Sequence, residues 1–137
     1  DGRFSAAFQV AQEGMAKKNI VPPFTYADDD IPRLQGFRKW MESYDPDVIL
    51  TLHPNVRDWL QSMGKTAPDD IGLVALEVHR KCADWAGINQ HNDIAGEAAV
   101  DMVATLMQTN EFGGGTPPRA TLVGGTWVDG LTVRPQV

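Results

Sequence analysis

The chain has 137 residues, 42% of them hydrophobic and 22% charged, which is the size and composition of one globular domain with its own core. Its net charge of −6 and pI near 4.9 disfavour a domain that binds a nucleic-acid phosphate backbone unaided. A single cysteine, Cys82, excludes an internal disulfide bond, and no apolar run approaches the roughly 20 residues of a membrane span. We therefore expect a cytoplasmic protein without a membrane partner.

The first third of the chain predicts two helices around a short strand. Large apolar residues recur at intervals of three and four in the first helix. The stretch "NIVPPFTYA" predicts a strand, and Pro22 and Pro23 favour its start or an edge position. The second helix should begin with Asp30 as its N-cap and end near Tyr44. The inward faces are predicted to be Phe4, Phe8, Ala11 and Met15 in the first helix, and Leu34, Phe37 and Met41 in the second.

Three continuous apolar runs follow, "DVILTLH", "DIGLVALE" and "WAGINQ", of the kind buried on both faces of a parallel sheet. A short helix that Gly64 closes should separate the first two runs. The third run leads directly into a long amphipathic helix, and "ATLVGGTWVDG" predicts a last strand. Strands that alternate with helices indicate an α/β fold, with a parallel sheet flanked by helices.

Polar residues follow each predicted strand at the point where the strand ends. In open α/β sheets, ligands bind beyond the carboxyl ends of the strands. Carboxylates accept hydrogen bonds, and amide and imidazole groups both donate and accept them, so together they offer what a polyol such as a sugar requires. Any one of these residues is more often a helix or strand cap, and the agreement between four strand ends is what favours a ligand. The candidates are His53 and Asn55, Glu77 and His79, Asn89 and Gln90, and Asp28 to Asp30.

Three blocks of the sequence are similar to blocks that recur, in the same order, in one family of proteins. "APDDIGLV" (67–74) is similar to a "P-[DE]-D-I-[SG]" block, "GINQ" (87–90) to a "T-T-[IV]-x-Q" block, and Gly96–Val103 to a "G-x-x-A" helix. In this order and spacing they resemble the C-terminal part of lactose-repressor (LacI) family transcription regulators. "PDVILTLH" and "LQGFRKWMESYDPDVI" resemble the family's segments upstream. Glu77 stands at the family's acidic position, and His53-Pro54 replaces the usual Asn-Asp.

The resemblance implies a type I periplasmic-binding-protein-like fold with two lobes. Residues 1–90 would form the C-terminal lobe, 91–112 a crossover helix that packs on an N-terminal lobe outside the chain, and 113–137 a loop and return strand. It further implies a homodimer, a small-molecule effector such as a sugar, and operator DNA bound through a domain that precedes Asp1. The ligand-binding residues expected on this basis are Glu77, Gln90, His53, Asn55, Asp30 and Arg3, the last as candidate for the family's effector-contacting arginine.

Other functions are weighed against this hypothesis. Zinc at Glu77, His79 and Cys82 is disfavoured because paired Cys or His at short fixed spacing is lacking. Catalysis is disfavoured because no G-x-S-x-G elbow, P-loop or G-x-G-x-x-G follows a strand. We therefore expect no catalytic residues, no metal and no cofactor. A periplasmic sugar-binding protein shares the expected fold and stays an alternative, as does, with less support, a small α/β enzyme domain.

The long helix has an apolar face that the rest of the sequence does not obviously cover. If an N-terminal lobe lies outside the chain, this face has no partner in the same 137 residues. The sheet would also lack a strand before Phe4, which leaves an unpaired edge. We predict self-association through the long helix, the Val56–Met63 helix or an exchanged element. The face consists of Ala95, Ala99, Met102, Val103 and Leu106.

Overall fold

The computed structural model of the chain describes residues 2–15, 20–25, 30–111, 113 and 119–135, apart from the side chains of residues 2–4 and 30–32. Two helices come first, strands and helices then alternate, and a short 3₁₀ helix, Arg80–Cys82, lies between the second and third strands. The elements in chain order are α1 (Gly2–Ala11), α2 (Asp30–Tyr44), β1 (Val48–Thr51), α3 (Val56–Ser62), β2 (Gly72–Ala75), β3 (Ala86–Asn89), α4 (Asn92–Gln108) and β4 (Thr126–Val128).

The strands form one open sheet in the order β1-β2-β3-β4. β1, β2 and β3 are parallel, with Ile49 beside Leu73 and Ala75 beside Gly87. β4 pairs with β3 in the antiparallel direction, which places Val128 opposite Gly87. The prediction of an α/β fold with a sheet flanked by helices is confirmed. The sheet is mostly rather than wholly parallel, because the chain returns from α4 against the direction of β3, as edge strands of parallel sheets often do.

One face of the sheet carries the core. α2 and α3 pack on this face through the apolar sides that their spacing predicts, and Gly64 (φ 73°) ends α3 in a left-handed conformation that glycine adopts without strain. The rings of Phe37 and Trp59 lie 5.3 Å apart between the two helices. The buried core residues of these elements are Phe37, Met41, Ile49, Val56, Leu60, Leu73 and Ala75.

The segment after β4 closes the core at the amino ends of β2 and β3. Thr132 is 2% exposed, and its Oγ1 accepts a hydrogen bond from the Ala86 N–H (3.0 Å) and donates one to the Leu73 carbonyl (2.6 Å). Gly87 lies so close to β2 that a Cβ there would collide with the Ala75 carbonyl oxygen. Strand β3 therefore lies close against β2, and Thr132, after β4, ties the amino ends of the two strands together.

Two predictions made from the first 25 residues are wrong. Residues 20–25 form no strand, because two of them are prolines and the backbone N–H and C=O of Val21 bond instead to the buried amide of Gln12 (3.0 and 3.2 Å). Gln12, which directly follows α1, is therefore the buried residue at this end of the helix. Phe8 and Met15, which the sequence predicts to face inward, are instead 39% and 55% exposed. The last strand is also shorter than predicted, since residues 120–125 precede it without strand structure.

α4 has no buried residue in this structure. Val100 and Met107 are 68% and 69% exposed, and Met102 and Val103 of the predicted apolar face are exposed as well. The apolar face of α4 is therefore not covered by the described part of the chain. Within the same residues, no helix combines the length and the hydropathy that crossing a membrane requires.

Candidate ligand site at the strand ends

The carboxyl ends of β1, β2 and β3 lie side by side, because the three strands are parallel neighbours. Glu77 lies two residues beyond β2, slightly further than the predicted strand end. Gln90 follows β3 directly, and His53 lies two residues beyond β1. The sheet thus brings the predicted polar residues of three strands to one edge, where α/β proteins bind ligands.

The half-buried carboxylate of Glu77 is held by the first residue of α4. Asn92 Nδ2 donates a hydrogen bond to Glu77 Oε1 over 2.7 Å. The second carboxylate oxygen accepts no hydrogen bond from the described residues. Glu77 is therefore oriented by one oxygen and can accept hydrogen bonds with the other.

Gln90 lies beside Glu77 at the neighbouring strand end. Its Nε2 donates to the carbonyl of Leu76, the residue before Glu77, over 3.0 Å. This bond fixes the amide across the ends of β2 and β3. The side chain is exposed, so its oxygen and its second N–H can reach a bound molecule.

His91 makes the turn from β3 into α4. It has a left-handed backbone conformation (φ 51°, ψ 50°), which is uncommon for a residue other than glycine. Its N–H donates to Asn89 Oδ1 over 2.9 Å, and its ring Nε2 lies 2.9 Å from Thr126 Oγ1 in β4. The polar segment between β3 and α4 therefore contains a strand-end cap, a strained turn and the residue that holds Glu77.

No contact between the other predicted residues and Glu77, Gln90 or Asn92 is seen among the described side chains. The backbone N–H of His53 donates to Thr51 Oγ1 (2.9 Å), and Asn55 precedes α3 without a side-chain capping bond. His79 Nδ1 accepts from the Lys81 N–H and so caps the 3₁₀ helix. The side chains of Arg3 and Asp30 lie outside the described residues, as do Asp28 and Asp29.

Asn92 is the site residue that sequence reasoning missed. It belongs to the polar run after β3, but such a residue before a helix is ordinarily a cap. Only the parallel pairing of β2 and β3 brings it to Glu77, 15 positions earlier in the chain. Sequence spacing alone does not indicate that contact.

The chemistry of the cluster is that of a hydrogen-bonding surface. It offers one carboxylate acceptor with amide and hydroxyl groups beside it, and such groups match an uncharged, hydroxyl-rich molecule. Among the described residues, no group of three His, Cys, Asp or Glu side chains is arranged to hold a metal ion. The Cys82 thiol beside it is buried, donates to the Glu77 carbonyl (3.6 Å) and accepts from the His79 N–H (3.4 Å), which is a structural role.

A separate cavity of about 260 Å³ lies at the opposite, amino ends of β2 and β3. Arg57 Nη2 bonds to Asp84 Oδ2 in its wall over 2.8 Å, and the guanidinium lies 5.0 Å from the centre of the Trp85 ring. The hydrogen bond and the charge of Arg57 together lower the pKa of Asp84. The charged residues of its wall are Arg57 and Asp84, which are paired with each other, and Lys65, whose Nζ lies 3.6 Å from Asp45 Oδ1.

A scan against models of protein families, a search of curated proteins and a search of solved structures each found no match for this chain.

Proposed function

We propose that the chain is the effector-sensing part of a LacI-type transcription regulator and binds a small hydroxyl-rich molecule, such as a sugar, at the strand-end cluster. The observation that carries the proposal is the Asn92–Glu77 hydrogen bond, which orients a carboxylate beside the amide of Gln90. Carboxylate and amide groups make the hydrogen bonds that hydroxyl groups need, and the carboxyl ends of strands are where open α/β sheets bind ligands. The sequence blocks 67–74, 87–90 and 96–103 support the family.

The finer fold belongs to the same proposal. The sheet β1-β2-β3-β4 would be the C-terminal lobe of a type I periplasmic-binding-protein-like domain. α4 would be the crossover helix, and the apolar face of α4, exposed in this chain, would pack on a second lobe. In this arrangement the His91 turn lies between the lobes, where a hinge residue absorbs changes of backbone angle.

The proposed mechanism is a shift between two lobe arrangements. A ligand that contacts Glu77 and Gln90 from one lobe and further groups from the other favours the closed arrangement by its differential affinity. In a cytoplasmic homodimer, that shift would change the spacing of DNA-binding domains outside these 137 residues. We propose binding without turnover, metal or cofactor.

Calorimetry with the intact protein tests the site. Replacing Glu77 or Gln90 with alanine should lower the affinity for the effector, because removing one hydrogen-bonding partner in a binding site costs about 1–3 kcal/mol. Asp58→Ala, an exposed carboxylate on α3, serves as the control and should bind normally. Unchanged affinity in both site variants would exclude the assignment. Turnover of a sugar or phosphoester by the purified chain would favour an enzyme instead.

A further inference from the structure

The backbone on either side of Glu77 is bonded to a neighbouring strand. The Leu76 N–H donates to the Thr51 carbonyl of β1 over 2.9 Å. The Val78 N–H donates to the Ile88 carbonyl of β3 over 2.8 Å. Because the backbone of Glu77 cannot shift without breaking these bonds, the part of the residue that is free to turn is its side chain.

The two carboxylate oxygens of Glu77 face different partners. Oε1 accepts the hydrogen bond from Asn92 Nδ2, at the first residue of α4. Oε2 accepts none from the described residues and, under the proposed function, takes a hydroxyl of the effector. A carboxylate has about four acceptor sites, so the two donors do not compete for one lone pair. Both bonds need the same orientation of one planar group, and either bond therefore restricts the side chain in favour of the other.

The first turn of α4 is weakly secured by the helix itself. Its N-cap, His91, makes no side-chain capping hydrogen bond and has a left-handed backbone conformation (φ 51°). Gly96 lies in the second turn, where glycine weakens a helix. Among the hydrogen bonds and ion pairs of the described residues, the Asn92–Glu77 bond is the one that joins a residue of α4 to the sheet's strand ends.

We propose that Glu77 couples effector binding to the start of α4: an effector bonded to Oε2 strengthens the Asn92 bond at Oε1 and so stabilises the first turn of the helix. This inference rests on the proposed effector site and states how occupancy of that site is transmitted. The coupling is positive because the effector and Asn92 share the entropy cost of fixing one side chain, which the first partner removes for the second.

The coupling is also reciprocal. The factor by which the Asn92 bond raises the affinity for the effector equals the factor by which the effector favours that bond. In the proposed fold α4 packs on the second lobe, so an effector that fixes the start of α4 also fixes the direction in which the helix meets that lobe. Contacts made to the sheet alone are then enough to favour one arrangement of the lobes.

Amide hydrogen exchange of the intact protein, measured by NMR with and without sugar, tests the coupling. The probes are D-glucose, D-galactose, D-xylose and D-ribose, each titrated in turn. The Ala95 N–H bonds to the His91 carbonyl over 2.9 Å and closes the first turn of α4, so its exchange reports openings of that turn. A sugar that binds should slow this exchange about 5- to 30-fold at saturation, the same factor as the affinity that the Asn92 bond contributes. The amides of residues 105–107, at the other end of α4, should not change.

Asn92→Ala separates the coupling from direct protection by the sugar. In this variant a sugar should still bind at Glu77, more weakly, but at saturation it should leave the exchange of Ala95 unchanged. Asp101→Asn, which changes an exposed carboxylate further along α4, is the control and should respond to sugar like the unmodified protein. Slowed exchange of Ala95 in Asn92→Ala, or a lost response in Asp101→Asn, would overturn the coupling.

The outcomes separate this inference from the proposed function. A sugar that binds at Glu77 without slowing the exchange of Ala95 overturns the coupling and leaves the effector site standing. If none of the four sugars binds in a saturable way, the proposed effector site fails, and the coupling fails with it.

Discussion

Asn92 Nδ2 lies 2.7 Å from Glu77 Oε1, so the first residue of α4 holds the carboxylate that follows β2. This contact joins two segments that the sequence separates by a loop, a 3₁₀ helix and strand β3. It orients Glu77 and at the same time fixes where α4 leaves the sheet. A change at Asn92 should therefore affect ligand binding more than folding.

Asn92→Ala should weaken effector binding by about 1–2 kcal/mol, roughly a 5- to 30-fold loss of affinity, because the Glu77 carboxylate loses the donor that positions it. Unfolding in urea should change much less, since Asn92 is exposed. Titration calorimetry measures the first effect. Asp93→Asn, the neighbouring exposed residue, is the control and should retain normal affinity. Equal affinity of Asn92→Ala and the unmodified protein would show that Glu77 does not need this donor.

His91→Gly should be more stable than His91→Ala, although both variants lose the ring contact to Thr126. Alanine at this position keeps the cost of the left-handed conformation, about 1–2 kcal/mol, and glycine does not. Urea unfolding monitored by tryptophan fluorescence compares the two directly. If His91→Ala were as stable as His91→Gly, the turn at His91 would not carry the strain that its backbone angles indicate.

Alanine at two glycines should change stability in opposite directions. At Gly87 a Cβ collides with the Ala75 carbonyl oxygen of the neighbouring strand, and such overpacking typically costs about 1–3 kcal/mol. At Gly96, inside α4, a Cβ meets no atom within 4 Å, and alanine should stabilise by about 0.5–1 kcal/mol because glycine is a poor helix former. Thermal unfolding of both variants checks the signs. A neutral Gly87→Ala would mean that β2 and β3 can separate more easily than their pairing implies.

Apolar periodicity predicted most of the elements correctly. α2, α3 and α4 begin and end close to the predicted residues, because their apolar spacing and their flanking proline and glycine residues are local signals. The strand ends could also be predicted, and these place Glu77 and Gln90 on neighbouring strands. Local sequence signals were thus sufficient to predict most helices and strands and two residues of the candidate site.

Tertiary contacts decided the features that were missed. Gln12 is buried because it satisfies the backbone of Val21, and no local pattern distinguishes it from an exposed glutamine. Asn92 meets Glu77 only through the pairing of β2 with β3. The antiparallel direction of β4 depends on the path of the chain after α4, which sequence alternation does not specify. In each case a polar group or a chain direction was set by a distant partner.

Acid should destabilise the protein partly through Asp84. A hydrogen bond from Arg57 and its charge lower the pKa of this carboxyl below the usual 3.8. A carboxyl whose pKa is lower in the folded state contributes stability above its unfolded pKa, and this contribution is lost as the pH falls below about 3.8 towards the folded value. The free energy of unfolding of Asp84→Asn should therefore fall less between pH 5 and pH 3 than that of the unmodified protein.

Urea unfolding at several pH values measures this dependence, with Asp101→Asn on α4 as the control. Asp70, whose pKa is lowered by hydrogen bonds from the backbone and side chain of Thr66, titrates in the same range and will keep part of the dependence in Asp84→Asn. An unchanged pH profile in Asp84→Asn would show that the pair with Arg57 contributes nothing to folding, as is the case for many exposed ion pairs.

The central claim is that a hydroxyl-rich small molecule binds at the ends of β2 and β3. The most direct measurement is a backbone-amide NMR titration of the intact protein with a panel of neutral sugars, because chemical shifts detect weak binding and locate it. We expect at least one sugar to shift the amides of Glu77, Gln90 and Asn92 in a saturable way, and Glu77→Ala to abolish the effect. Shifts confined to the cavity at Arg57 and Thr66, or no saturable shift with any sugar, would contradict the account.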